Sequence, residues 1–421
     1  MLRRSTTAIF LAALLASAAS ATPWHAMGPR AMGMGGAHVA MAQGPLASYW
    51  NPAGLGQLYN VSGLLIPAGI RIEATGSVLE GANDLYQLNE DCAAGLSSCS
   101  VPRIVDALDR LGQSGNGAFA DSGGGVNLKI KRAVLFVNTL SYLGGAPQVD
   151  FVNTLAGQGA GSIAQNQSKI IVRGGNFTEI GVGYGREIRE SGVVLGANLK
   201  GIVGQVGYKQ IGVVLEEPDA DAFSDFRDES KTSIQPGVDV GLLWDIRETW
   251  PKVPMRPRFG LVGRNLNNPK FNQPDAAKAA GEFDKFSIHG QARAGFAMSP
   301  FKFWHLAADI DVTNNLTYIP GFKSRYLSLG TEINVFNRPW LNIPLRAGIQ
   351  KNLSDTGSGA SYTAGVGLNF LHVMLDIGGM ISAKTTRIQS EGETDKIPNN
   401  AAFSARFAFL FGGKDEGTRN K

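Results

Sequence analysis

Residues able to carry chemistry are few and scattered along this 421-residue chain, which holds five histidines and two cysteines. A hydrolytic site needs a nucleophile within hydrogen-bond reach of a base. His25 and His38 lie in a glycine- and methionine-rich N-terminal stretch, and His372 falls at a turn. His289 and His305 lie on adjacent strand patterns, and the hairpin register between them keeps them apart. No catalytic constellation is expected, and neither is a metal or cofactor site. Gly33-Met34-Gly35-Gly36 superficially resembles a phosphate-binding turn. That turn requires a preceding strand and a following helix, whereas a secretory leader precedes this one. Cys92 and Cys99 are not spaced as C-x-x-C and have no histidine beside them. In an exported chain such a pair reads as a local disulfide.

The other chemically active groups are charges placed one residue in two. Arg71, Glu73, Lys129, Glu179, Lys200, Asp239, His289, Arg293, Asp309, Glu332 and Arg346 each belong to the polar register of an alternating segment. Period-two alternation marks a strand with one apolar face. Leu64, Ile66, Ala68, Ile70 and Ile72 set the pattern, and it returns through Phe403, Phe407, Phe409 and Phe411. Fourteen such segments are counted when Val206 to Leu215 is assigned to a loop. Their connections alternate short and long: Lys131-Arg132, Glu190-Ser191, Ser299 to Lys302, Asn337 to Pro339 and Leu371 are short. An even strand number, with every long loop on one side, is the pattern of an outer-membrane barrel. The fold expected is therefore all-β, a 14-stranded antiparallel transmembrane β-barrel with an N-terminal lumen plug. Its apolar stripe faces lipid and its polar register faces the lumen, where Arg293 and Asp309 are expected to pair.

Composition agrees. The chain has 54 glycines and 43% hydrophobic residues, and a formal charge of +4 that falls to +2 without Arg3 and Arg4. That balance, with no basic run, excludes a nucleic-acid partner. Arg3, Arg4, the apolar stretch Ala8 to Leu15 and Ala19-Ser20-Ala21 form a cleavable secretory signal. Residues 1–21 are thus the signal, 22–59 the plug or hatch, 60–411 the barrel and 412–421 a polar tail. The hatch has neither strand nor helix periodicity. Its signature is Met32, Gly33, Met34, Gly35 and Gly36, followed by Trp50, Asn51 and Pro52, with glycine permitting close packing and methionine filling irregular space. Tyr49, Trp50, Trp244, Trp304, Trp340 and Phe411 lie near strand ends or in the plug, as membrane-boundary aromatics do. Leu85, Ile104, Val105, Leu108 and Leu111 either form an apolar mouth or pack one loop against its neighbours.

Arg30-Ala-Met-Gly-Met-Gly-Gly-Ala37 followed by Asn51-Pro-Ala-Gly-Leu55 resembles the hatch of FadL-type outer-membrane transporters of long-chain fatty acids and other hydrophobic compounds. Asn176-Phe-Thr-Glu-Ile-Gly-Val182, Phe259-Gly-Leu-Val-Gly-Arg-Asn-Leu266 and His305-Leu-Ala-Ala-Asp-Ile-Asp311 resemble a sister group, the TraF-like conjugal transfer proteins. The resemblance implies passive uptake of a hydrophobic, fatty-acid-like ligand through the outer membrane, with lipid as partner. The alternative it implies is a non-transporting envelope component that serves a conjugation or secretion assembly machinery.

Overall fold

The computed structural model describes residues 24, 27–57, 61–91, 100–153, 165–189, 191–212, 226–355, 357–390 and 393–411. Cys92, Cys99, His25, the signal and the polar tail lie outside the described residues. Among the described residues no helix is long and apolar enough to cross a membrane.

Fourteen antiparallel strands close into one barrel. The first seven are β1 (Ser62–Thr75), β2 (Gly117–Ile130), β3 (Ala133–Gln148), β4 (Lys169–Glu187), β5 (Val193–Gly212), β6 (Lys231–Asp245) and β7 (Arg258–Arg264). They are followed by β8 (Gln291–Phe301), β9 (Trp304–Asp311), β10 (Tyr326–Arg338), β11 (Leu341–Asn352), β12 (Ser361–Phe370), β13 (Val373–Ser382) and β14 (Asn400–Phe411). Each strand pairs with its chain neighbours, and β1 seals the barrel against β14, from Ser62 opposite Phe411 to Glu73 opposite Asn400. Closure leaves no edge of unpaired backbone groups.

The alternation governs the two faces. Ile66, Ile70, Ile72, Leu135, Ile180, Leu199, Leu375 and Phe407 are exposed on the outer face. Their chain neighbours Arg71, Glu73, Glu179, Lys200, Asp376 and Asn198 are buried inside. Two tight turns place a residue other than glycine at positive φ: Lys131 at 54° between β2 and β3, and Leu371 at 51° between β12 and β13.

Three expectations change. Val206 is in β5, which runs on to Gly212 and pairs with β4 along its whole length. Gln205, Gly207 and Lys209 break the outer apolar stripe there, so the signal fades while the backbone ladder continues. His289 precedes β8 and is half-buried beyond its end, after a short strand, Lys285–Ser287, that pairs with Lys270–Asn272 outside the barrel. The hairpin of β8 and β9 is shifted by two residues, so Arg293 lies opposite Asp311, and Gly295 opposite Asp309. The turn holds only Lys302 and Phe303, with a bulge between Met298 and Phe301. A two-residue slip keeps every side chain on its face and changes only its partner.

Candidate functional site: the barrel interior

Residues 27–56 are buried almost throughout, and they bond to inward-facing strand residues. The segment follows the wall. Pro29–Gly33 lies against β11 to β14, Val39–Met41 against β7 to β9, and Pro52–Gly56 against β4 to β6. Inward-facing strand glycines make this approach possible. A Cβ on Gly330 or Gly348 would stand 2.4 Å from backbone atoms of Met34 or Gly35. A Cβ on Gly241 would collide with the Asn51 side-chain Oδ1, and one on Gly196 with the backbone of Pro52. Gly35 itself has φ of 68° and no space for a side chain, which only glycine tolerates.

Polar contacts secure the segment. Arg30 donates to both carboxylate oxygens of Glu332, at 2.8 and 2.7 Å. Glu332 also accepts from Arg346 at 2.6 Å, Arg346 donates to Asp376 at 2.6 Å, and Arg406 donates to Asp376 at 2.8 Å. The result is a chain of alternating charge across β10, β11, β13 and β14, with Arg30 at its end. Bidentate arginine–carboxylate contacts combine strength with fixed geometry. Asp309 uses one oxygen to accept the backbone N–H groups of His38 and Val39, at 2.7 and 2.9 Å. The segment's own backbone therefore takes the place of the expected Arg293 partner. Arg293 instead donates to Asp311 at 2.6 Å.

Asn51 is fully buried and supplies three bonds. Its Nδ2 donates to Val39 and Leu242 carbonyls at 3.1 and 3.0 Å, and its Oδ1 caps the short helix Pro52–Gly56 by accepting from Ala53. Thr363 accepts from the Gly35 N–H and donates to the Gly33 carbonyl. Burial, with Arg30 beside it, holds the His38 imidazole well below its usual value, so it is neutral in the interior.

The remaining polar residues form two further groups. Lys200 bridges Glu179 at 2.8 Å and Asp239 at 3.0 Å, and Arg264 reaches Glu179 at 3.3 Å. Arg264 also stacks over Tyr49, 4.2 Å from the ring centre, while Arg293 lies 4.7 Å over Trp24. Arg71 pairs with Asp121 at 2.6 Å, and Glu73 accepts from Asn400 at 3.1 Å. Lys129 is buried and donates to the Lys131 carbonyl. Ten of the eleven polar positions are buried, and His289 is half-buried.

Tyr49 and Trp50 are inside the barrel, in a cluster with Trp24, and not at a membrane boundary. Their apolar neighbours are inward-facing Leu65, Phe136 and Leu140, which alternation alone assigns to no partner. Leu88, Ile104, Val105 and Leu108, with Leu85, pack the helix Val78–Asp91 onto the helix Val101–Leu111. They line no mouth.

The aromatic lining lies elsewhere and was not legible in the sequence. Inward-facing Phe119, Tyr142 and Phe177 meet loop residues Phe271, Phe286 and Tyr318, with ring centres 4.4 Å apart for Phe286–Tyr318 and 4.5 Å for Tyr142–Tyr318. The long loops supply these partners, so the signal is spread over four distant segments. Beside the segment, a cavity of about 40 Å³ is lined by Trp24, Met27, Met32, Arg71, Arg293 and Tyr326 among others. That volume holds roughly one water molecule; an apolar cavity that takes a benzene-sized solute is about 150 Å³.

Two solved structures share the fold over nearly their full length. The CymD monoaromatic hydrocarbon channel is 12% identical, with a TM-score of 0.50, covering 94% of this chain and 100% of its own. The toluene transporter TodX of P. putida is 11% identical, with a TM-score of 0.50, covering 92% and 99%. No curated relative matches by sequence. Residues 48–311, more than half of the chain, match the family described as "F plasmid transfer operon, TraF, protein", and it is to this family that the chain belongs.

Proposed function

We propose that this protein is an outer-membrane barrel for passive uptake of hydrophobic small molecules, with residues 22–59 acting as a hatch that must move for passage. The observation that carries this reading is the pairing of an apolar outer face with an interior occupied by a chain segment held through the Arg30–Glu332 salt bridge and buried hydrogen bonds. An apolar exterior on a closed barrel is stable in hydrocarbon, where every backbone group must find its partner within the protein. The aromatic layer formed by Phe119, Tyr142, Phe177, Phe286 and Tyr318 supports an apolar ligand at the long-loop side. CymD and TodX are described as a hydrocarbon channel and a toluene transporter. Fatty-acid-like or smaller hydrocarbons are the ligands to test. The cavity of about 40 Å³ beside the segment is too small for either, which supports reading this conformation as closed.

The family description favours a second reading, a non-transporting component of a conjugation or secretion apparatus. Proteoliposomes separate the two. Uptake of a hydrophobic fluorophore that rises with the intact protein, and falls when the aromatic layer is replaced by serine, supports transport. Background uptake together with stable co-purification of envelope machinery supports the second reading.

A further inference from the structure

At the long-loop end of the barrel, inward-facing oxygens from four adjacent strands lie at one level. Ser361 on β12 is opposite Ser382 on β13. Ile381 is opposite Ala401, so the next step of that register sets Ser382 beside Asn400 on β14. Asn400 in turn is opposite Glu73 on β1, at the seam where the barrel closes. All four are buried. Asp355, from the loop that joins β11 to β12, borders with them a cavity of about 20 Å³. A space of about 10–15 Å³ is enough for one water-sized occupant.

The cavity wall carries acceptors in excess of donors. Asn400 is only 6% exposed; its Nδ2 donates to Glu73 at 3.1 Å, and its Oδ1 has no hydrogen-bond partner. A buried acceptor without a donor is costly, and turning the amide over would press that oxygen against the Glu73 carboxylate. Asp355 accepts the Gly357 N–H at 2.9 Å with one oxygen and the Ser358 hydroxyl with the other. Those bonds hold the carboxylate in place and leave each oxygen a further lone pair. Lys384 is the one cation among the described lining residues, and its Nζ donates to the Gly357 carbonyl at 3.2 Å. Arg71, one inward step along β1, donates to Asp121 at 2.6 Å.

We propose that this cavity is a calcium site, with Glu73, Asp355, the Asn400 Oδ1 and the hydroxyls of Ser361 and Ser382 as its oxygen ligands. Calcium takes carboxylate, amide and water oxygens together in flexible geometry, which suits a row of strand residues capped by a loop. Among the described residues no three acidic, histidine or cysteine side chains converge, so the site has two carboxylates only. That places it in the weak class, with a Kd of roughly 0.1–1 mM. The sequence shows no calcium motif because the ligands come from five separate segments. A bound ion would tie the β11–β12 loop to the closing seam of the barrel, whatever the interior conducts.

The test uses the full chain, folded in detergent micelles and stripped with a chelator, then titrated with calcium. One calcium per chain should bind at a Kd of roughly 0.1–1 mM, and the folded gel band should survive to higher temperature. Asp355→Asn should weaken binding more than about tenfold, since even an outer partner of a metal ligand costs that much. Asp395→Asn, exposed on the ribbon of Thr385–Ser390 and Glu393–Pro398 and outside the cavity, should leave binding unchanged. Should Asp355→Asn fail to fold, terbium bound to the unaltered chain decides. Tyr326 donates to Glu73 at 3.4 Å, so terbium in the cavity should show tyrosine-sensitised emission that calcium displaces and Tyr326→Phe dims. A folded chain that binds no calcium in this range holds only water there and overturns the proposal. Equal weakening by Asp355→Asn and Asp395→Asn, or terbium emission indifferent to Tyr326→Phe, overturns it as well, in favour of diffuse surface charge.

Discussion

Arg30→Ala is the sharpest test of how the N-terminal segment is held. Arg30 and Glu332 are both buried, with side-chain exposures of 10% and 5%. Removing one member of a buried pair costs about 3–5 kcal/mol, because the other charge is left without its partner. Here Glu332 retains Arg346 at 2.6 Å, so the lower figure applies. About 3 kcal/mol corresponds to a roughly 100-fold rise in the population of displaced segment. The barrel ladder is untouched, since Arg30 belongs to none of its strands. The expected outcome is a protein that still folds, shown by heat-modifiable migration, and that admits small sugars in a liposome-swelling assay. Arg30→Lys, which keeps the charge but loses the two-pronged contact, should leak less. A folded Arg30→Ala protein as tight as the unaltered chain, beside a leaking deletion of residues 22–59, would refute the reasoning: the segment would fill the interior without this bridge securing it.

Deleting residues 22–59 with the signal retained should leave an inserted barrel that leaks small polar solutes and loses selective uptake, read by the same two assays. Failure to insert would show that the segment is structural core. Asn51→Ala removes three hydrogen bonds, two of them buried, and should cost about 2–3 kcal/mol, measured as a lower temperature for loss of the folded gel band. Gly330→Leu sets a side chain where Met34 stands and should displace the segment; a tight, fully folded variant would show that the wall yields instead. Cys92 and Cys99 should be oxidised in the native protein, and intact-mass measurement without reductant that finds two free thiols would sink that expectation.

The strand number, the closed antiparallel order and the inward placement of residues such as Arg71, Lys200 and Glu332 were legible in the chain itself. Alternation is a local property: each residue's neighbours decide its face, and a strand carries that information without knowing its partners. Residues 30–41 carry no strand alternation and no lasting helical stripe, yet the short helices Pro29–Gly33 and Val39–Met41 form there, held by contacts that periodicity does not record. Partner choice was not local. Arg293 meets Asp311 because a two-residue turn and a bulge set the hairpin register, and Asp309 is left to receive backbone N–H groups from a segment 270 residues earlier. Gly330, Gly348, Gly241 and Gly196 are spread over four strands, and only barrel closure aligns them into a seat for residues 33–52. Phe177, Phe271, Phe286 and Tyr318 likewise become one aromatic layer only when the long loops fold inward. Periodicity along the chain specifies which way a side chain points; which distant atoms it then meets depends on register, closure and loop path, and those exist only in three dimensions.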